Sequence, residues 1–269
     1  MASLAAVTLL AGFGSQVSPS SAATTSNPYN LLHPGTLTVG MNLADKPEMY
    51  VTPQGKPAGY DVVLIQALAK DLGLKLNIDN LAWSGLIPGL EAKKFDIVSA
   101  GIDPTAARQK VLSFTRAYVP YQIALAVPYK NTRPATVAAW NTPATVITAQ
   151  AGTVDQDAAQ KAFPKASFKG FPDANTALFE VATGRANGAV IETYLISAFS
   201  ATNPKEIKAL IFPQSLLQVY YAAYAVQKGN SALVNVVDKW ICTIQANGFM
   251  AKSYLTTEGS ALPSMPACP

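Results

Sequence analysis

The chain has 269 residues, 20 Lys+Arg against 16 Asp+Glu for a formal charge of +4, 49% apolar residues and 13% ionic ones. That apolar fraction supports packed lobes rather than a disordered chain, and a small surplus of positive charge without a Lys/Arg cluster points away from nucleic acid. A single histidine, His33, argues against His-based triads and multi-His metal sites, and two cysteines, Cys242 and Cys268, cannot fill a four-Cys zinc site.

No charged residue precedes Asp45. Leu4–Phe13 is a short apolar run, Ser15–Thr25 is rich in small polar residues, and Ser20-Ser21-Ala22 fits a small-x-small cleavage site. Residues 1–30 therefore read as a leader followed by an unstructured segment. This places the mature chain in the periplasm or another extracytoplasmic compartment; an Ala/Ser-rich tail is the alternative. A basic n-region is missing, which an upstream start would supply. Leu9–Gly14 has the outline of a lipoprotein box, but Phe13 stands where the lipidated cysteine belongs, so a lipid anchor is disfavoured. No stretch of about 20 apolar residues is present to span a bilayer.

Strands and helices alternate from Gly35. Thr36–Met41 reads as a strand, and Gly55 marks the turn after Tyr50–Pro53. Asp61 is expected to cap a helix through Leu72 that Gly73 ends. Leu74, Leu76 and Ile78 alternate with polar residues as in a half-buried strand. Trp83–Lys93 reads as helix and Phe95–Gly101 as a buried strand. Asp103-Pro104 has the form of an N-cap followed by proline at the first helical position, opening a short helix that carries Arg108. Ile123–Val127 is an apolar strand.

A second set follows: strand Thr145–Ala149, a helix opened by Gly152-Thr153, and strand Ser167–Phe171. Asp173 caps a helix closed by Gly184. Then come strand Gly188–Ile191, helix Tyr194–Ser200, strand Ala209–Phe212, strand Val219–Val226 and the amphipathic helix Ser231–Ala246 with Gly248 beyond it. The tail, rich in Pro and Ser, carries Cys268 near its end. Such alternation implies α/β layers. Two sets, with apolar strands at 123–127 and 219–226 between them, suggest two lobes joined by two crossings.

A spaced string of motifs resembles solute-binding protein family 3, the polar amino-acid-binding proteins of ABC importers. Gly55-Lys-Pro-Ala-Gly59-Tyr60-Asp61 resembles the family's turn into its first helix, and Trp83-Ser-Gly-Leu86-Ile87-Pro88-Gly-Leu90 its second helix. Asp96-Ile-Val-Ser-Ala-Gly101 followed by Thr105-Ala-Ala-Arg108, then Phe114-Thr115 and Tyr118, continue the pattern. Gly152-Thr153 and Gly184-Arg185…Glu192 fit the second half. The resemblance covers about Gly35 to Gly248. It implies a two-lobed, type II-like periplasmic-binding-protein fold in which each lobe is a mixed sheet flanked by helices. Residues 31–120 and 222–269 would form one lobe and 121–221 the other, joined by two hinge crossings that close on ligand.

An amino acid needs a forked cation for its carboxylate, an acceptor for its ammonium and a wall for its side chain. By spacing alone Arg108 reads as a solvated helix arginine; the matching Thr105-x-x-Arg108 pattern makes it the carboxylate fork. Gly152 and Thr153 either offer backbone N–H groups to the same carboxylate or cap their own helix, or both. Glu192, where the family has Asp, is the acceptor for the ammonium; a carboxylate favoured by a helix dipole is the alternative. Ala100 and Gly101 allow backbone approach to the ligand. Asp103, where relatives have Ser or Thr, is either a helix cap or a ligand contact. Trp83 is the aromatic wall or a core tryptophan. Asn42 and Asp45 follow the first strand at two further pocket positions, or serve loop chemistry.

The resemblance thus implies a non-enzymatic, monomeric receptor that captures an amino acid, binds no cofactor or nucleic acid, and hands its cargo to a membrane permease. Asp45 and Asp103 beside Glu192 favour a polar or cationic L-amino acid. An enzyme on the same fold, such as the cyclohexadienyl dehydratases that resemble this family, is the rival; Glu192 or Asp103, if desolvated, would be its proton donor. A sensor or adhesin is the second. Export and an even cysteine count predict a Cys242–Cys268 disulfide tying the tail to the last long helix, against two unpaired thiols.

Overall fold

The computed structural model describes residues 27–213, 217 and 219–268, so the segment read as leader lies outside it up to residue 26. The first half contains β1 (Thr36–Met41), a small sheet of β2 (Ala44–Asp45), β3 (Met49–Val51) and β4 (Pro57–Ala58), α1 (Tyr60–Asp71), β5 (Lys75–Asn80), α2 (Trp83–Glu91), β6 (Ile97–Val98), α3 (Ala106–Val111) and β7 (Leu112–Pro128). Then follow α4 (Val137–Trp140), β8 (Val146–Gln150), α5 (Val154–Ala162), β9 (Ser167–Phe171), α6 (Ala174–Ala182), β10 (Gly188–Glu192), α7 (Thr193–Thr202), β11 (Ile207–Leu210), β12 (Val219–Gln227), α8 (Ser231–Ala246) and α9 (Phe249–Glu258).

The large strands lie in the order β5-β1-β6-β12-β7-β10-β8-β9, with β11 also on β7. The long strand β7 makes this continuity possible. Its first part, Leu112–Gln122, pairs antiparallel with β12, and from Ile123 it pairs with β10 and β11 instead. Apolar packing divides at the same place. One cluster gathers Leu31 to Tyr121 and Ala222 to Tyr254. Two others take residues between Ile123 and Leu217. Ile123, Leu125 and Val127 enter one of these and Ala124 and Ala126 the other, the two-residue period of a strand covered on both faces. The periodicity also explains α8: Leu233, Val237, Trp240, Ile241 and Ile244 are buried at helical spacing, and the Asn230 side chain accepts from Leu233 N–H as its cap. Leu64 and Leu68 of α1 are 0% exposed, and truncating either to Ala is expected to cost about 2–5 kcal/mol.

Several local expectations are corrected. Asp61 does not cap α1; Gly59 holds that position at φ +113°, where an added Cβ would collide with the Glu48 carbonyl. Asp61 is buried instead, accepting from Ser99 Oγ at 3.1 Å and Tyr118 Oη at 2.8 Å. Asp103 is not a cap either: Thr105 caps α3, its hydroxyl accepting from Arg108 N–H at 3.3 Å, and Pro104 lies outside the helix. Strand pairing in 95–101 is limited to Ile97–Val98, and α2 stops at Glu91. The strand expected at 209–212 sits two residues earlier, as β11. Beyond Gly248, where the sequence pattern marks no element, the structure places α9, with Met250 and Tyr254 packed into the first cluster; Cys242 and Cys268 are disulfide-bonded with Cα atoms 5.6 Å apart. Among the described residues no helix is long and apolar enough to cross a membrane.

Candidate functional site

The chemistry-bearing side chains collect where β1, β6, β8 and β10 run out into loops, the place where a parallel sheet leaves a crevice. A small, nearly closed cavity there is lined by Asp45, Trp83, Ala100, Gly101, Asp103, Thr153 and Glu192 from the sequence-derived set. Arg108 and Gly152 stand beside it. Asn42 is buried at the end of β1 and does not line it.

Arg108 closes one end. Its Nη1 donates to the Asp103 carbonyl at 3.0 Å and its Nη2 to the Gly152 carbonyl at 3.0 Å. Those two carbonyls belong to loops from opposite apolar clusters, so the guanidinium bridges them. Trp83 Nε1 donates to the same Gly152 carbonyl at 3.3 Å, and the Arg108 Cζ lies 5.5 Å from the Trp83 ring centroid, within cation–π range. Burial holds the Arg108 pKa below its ordinary value, against the pull of the Asp103 carboxyl. Thr153 caps α5: its hydroxyl accepts from Gln156 N–H at 3.3 Å and donates to the Gln150 carbonyl at 2.8 Å. The Gly152 N–H donates to Gln156 Oε1 at 2.9 Å, so in this arrangement that amide is engaged within its own turn.

Three carboxyl groups line the cavity and a fourth is buried against one of them. Asp45, at the end of β2, has its pKa raised to about 7, first by burial and then by the charges of Glu192 and Asp173. Asp103 is also raised to about 7 by burial; Arg108 opposes the shift and Glu192 adds to it. Its Oδ1 is buried with no hydrogen-bond partner. Glu192 ends β10 at the cap position of α7, and burial raises its pKa. The fourth acid, Asp155, was not anticipated. It lies in the first turn of α5, where it reads as an ordinary dipole-favoured acid, like Asp157 two residues on. In the fold Asp157 is exposed while Asp155 is 1% exposed, within hydrogen-bonding reach of Glu192, and raised well above the usual carboxylate range by burial and the Glu192 charge. Asp155 Oδ1 likewise has no partner in the structure. Tyr121, Gln150, Val154, Tyr194 and Leu195 complete the lining and were also not anticipated. No local sequence signal marks them, because they meet the cavity only through strand pairing between distant segments.

The Gly101 turn is supported from beneath. Its N–H donates to Tyr118 Oη at 3.1 Å, and that hydroxyl donates to Asp61. Gly101 sits at φ +61°, and a Cβ there would lie 2.9 Å from the Tyr121 ring. Glycine is therefore required both by backbone conformation and by the tyrosine above it. Among the described residues no group of three or more His, Cys, Asp or Glu is placed to hold a metal ion.

An α/β crevice with a bridging guanidinium at one end and carboxyls beyond it is a place where a two-lobed protein can hold a small polar ligand. The chain belongs to the bacterial extracellular solute-binding proteins, family 3, which it matches over residues 37–256. It is 26% identical over 222 residues to ABC transporter arginine-binding protein 1 of Escherichia coli K12, covering 80% of this chain and 88% of the relative. It is 25% identical over 224 residues to the cyclohexadienyl dehydratase of Pseudomonas aeruginosa, covering 82% and 81%. Among solved structures, an ancestral amino acid-binding protein described as a precursor of cyclohexadienyl dehydratase superposes with a TM-score of 0.75 at 30% identity, covering 83% of this chain and 95% of that one. An ancestral arginine-binding protein bound to glutamine gives 0.76 at 26%, covering 84% and 99%.

Proposed function

We propose that this protein is an extracytoplasmic receptor that captures a polar L-amino acid, with lysine, arginine or ornithine favoured, and delivers it to the permease of an ABC importer. Residues 31–120 with 222–269 and residues 121–221 are the two lobes that close on the ligand. The observation that carries the reading is the charge layout of the crevice: Arg108 bridging the two walls at one end, and Asp45, Asp155 and Glu192 without matching cations beyond it. Arg108 receives the ligand carboxylate as a two-point fork. Glu192, backed by Asp155, accepts from the α-ammonium. Asp45 supplies charge for a cationic side chain, and Trp83 covers its stem. An arginine-binding relative and an arginine-binding ancestral protein are consistent with that charge balance.

A thermal-shift screen across the amino acids, followed by competition among arginine, glutamine and glutamate, tests the proposal. A tight ligand stabilises by RT ln(1+[L]/Kd). Cationic amino acids are expected to give the largest shift and glutamate the smallest. Tightest binding by glutamate overturns the charge assignment.

One observation favours a second reading. Asp103, buried, and Glu192, half-buried, are acids with raised pKa values lining the cavity, the property required of a general acid, and one relative is a dehydratase. Incubation with arogenate or prephenate separates the readings: the receptor forms no aromatic product, and the dehydratase does.

A further inference from the structure

We infer that Tyr121 and Tyr194 form a septum that sets the length of amino acid the crevice accepts, and that the groove behind it takes the amine-tipped end of a longer amino acid when the septum opens. The inference rests on the amino-acid reading above and adds a limit to it.

Both tyrosines line the crevice cavity, and both also line a separate groove of about 620 Å³ on their other side. Their ring centroids are 5.4 Å apart and tilted by 31°, so the two rings are the partition between the spaces. They come from different parts of the fold. Tyr121 lies on β7, just before that strand changes partners, and Tyr194 lies in the first turn of α7, two residues after Glu192. They are also held unequally. Tyr121 Oη donates to the buried Glu48 Oε1 at 2.7 Å, and its ring lies over Gly101. Among the described residues no hydrogen bond holds the Tyr194 hydroxyl. Tyr121 is the fixed post and Tyr194 the leaf that can turn.

The groove has its own chemistry. Tyr254 and Pro263 give it an apolar wall, and Ser197 and Thr202 of α7 give it hydroxyls. Lys46 and Glu258 are its two charged residues; the exposed Lys46 ammonium lies 5.4 Å above the Tyr50 ring, and Glu258 stands against the buried Glu48 with its own Oε1 buried and unpartnered. An amine-tipped tail is the guest that supplies the donor Glu258 lacks. A ligand anchored by its carboxylate at Arg108 shares the crevice with these tyrosines, and the groove is assigned to side chains too long to end on the crevice side of the rings.

The test is calorimetry with L-lysine and Nε-glycyl-L-lysine, whose side chain is longer and still ends in an amine. The wild-type protein is expected to prefer lysine by at least about tenfold. In Tyr194→Ala the ratio of the two dissociation constants is expected to fall by at least about tenfold. In Tyr194→Ala/Ala201→Phe, which refills the groove from α7, that gain is expected to disappear. Tyr194→Val repeats the measurement should the alanine variant fail to fold. A folded Tyr194 variant that binds lysine with an unchanged ratio overturns the septum while leaving the amino-acid reading intact. Absence of binding of any free amino acid to the wild type overturns that reading and the septum with it. A structure of the Tyr194 variant with two separate spaces overturns the septum independently of any ligand.

Discussion

Two groups of acids stand on either side of the Gly101 turn, and the protein supplies them with hydroxyl donors to different degrees. Behind the turn, Asp61 accepts from Ser99 and Tyr118, and Glu48 accepts from Tyr121, so each carboxyl has a neutral hydroxyl donor built for it. In the crevice, Asp103 and Asp155 receive no side-chain donor, and their nearest charged company is Arg108, Glu192 and Asp45. Burying a carboxyl is costly unless it is hydrogen-bonded or paired. The rear acids meet that demand in part: each has one oxygen on hydroxyl donors, while Glu48 Oε2 and Asp61 Oδ1 are buried without a partner. Those in the crevice leave it to protons when the protein is alone and, on the proposed reading, to the ligand's ammonium groups.

The largest effect tests Arg108, the one cation at the crevice among the described residues. Arg108→Ala is expected to abolish amino-acid binding, a loss of about 2–5 kcal/mol, because the ligand carboxylate is left unpaired in a closed site. Melting should show a folded protein, since the two hydrogen bonds lost are to carbonyls at the crevice rim. Near-normal affinity by calorimetry in the folded variant would remove Arg108 from the site.

Neutralising one acid on each side sharpens the contrast. Asp61→Asn keeps one oxygen for the two hydroxyl donors, which both bind Oδ2, but puts an amide NH2 at the buried, unpartnered Oδ1 position, and is expected to destabilise the protein by about 1–3 kcal/mol. Glu192→Gln removes one of several like charges and is expected to raise the melting temperature of the ligand-free protein at pH 8 while weakening amino-acid binding. The two variants should therefore move stability in opposite directions. If both destabilise equally, the crevice acids are as well satisfied as the rear ones and the distinction fails.

The pH dependence has a definite sign. Asp45 and Asp103 have pKa values near 7 in the fold against an ordinary 3.8, and Asp61 is raised to about 7 as well. Between those values the folded chain holds protons that the unfolded chain has released. Stability therefore falls as pH rises from about 4 and levels off above about 7. Melting of the ligand-free protein is expected to drop by several degrees from pH 5 to pH 8, at about 2–4 °C per kcal/mol. A saturating cationic amino acid should flatten the drop, because it favours the ionised form of the crevice acids. A melting temperature that climbs over this range would contradict the assignment.

Much of this was legible in the sequence for a physical reason. Ser167–Phe171 and Ser231–Ala246 were read with the observed bounds because turn residues and side-chain periodicity are local signals. The family motifs brought Arg108, Trp83, Asp103 and Glu192 to one crevice. What was missed depended on distant contacts. Asp61 and Asp103 both look like caps by local rule, yet neighbouring residues, Gly59 and Thr105, take those positions. Asp155 differs from Asp157 only by which side of α5 faces β10. The helix α9 has little amphipathic pattern, since its packing uses only Met250, Ser253 and Tyr254.

The smallest effect decides on which side of the charge balance Asp103 belongs. Its carboxyl lies next to Arg108, where the ligand carboxylate is proposed to bind, and an ionised Asp103 would repel that group. Protonated, it offers an O–H donor in the place where the family resemblance implies a serine or threonine hydroxyl. With a pKa near 7, it carries that proton through much of the acidic range and has lost most of it by pH 8. Asp103→Asn keeps a donor of similar shape and removes the titration. Its affinity is expected to match that of the wild type at pH 6. At pH 8 it should bind more tightly, by up to about tenfold, because the wild type must first recover a proton one pH unit above its pKa. The measurement is the variant-to-wild-type affinity ratio against pH for a neutral ligand such as glutamine, so that no side-chain cation enters. A ratio that falls at pH 8 would place Asp103 with Asp45, Asp155 and Glu192 as an acceptor for the ammonium, and would leave Arg108 as the sole group serving the carboxylate.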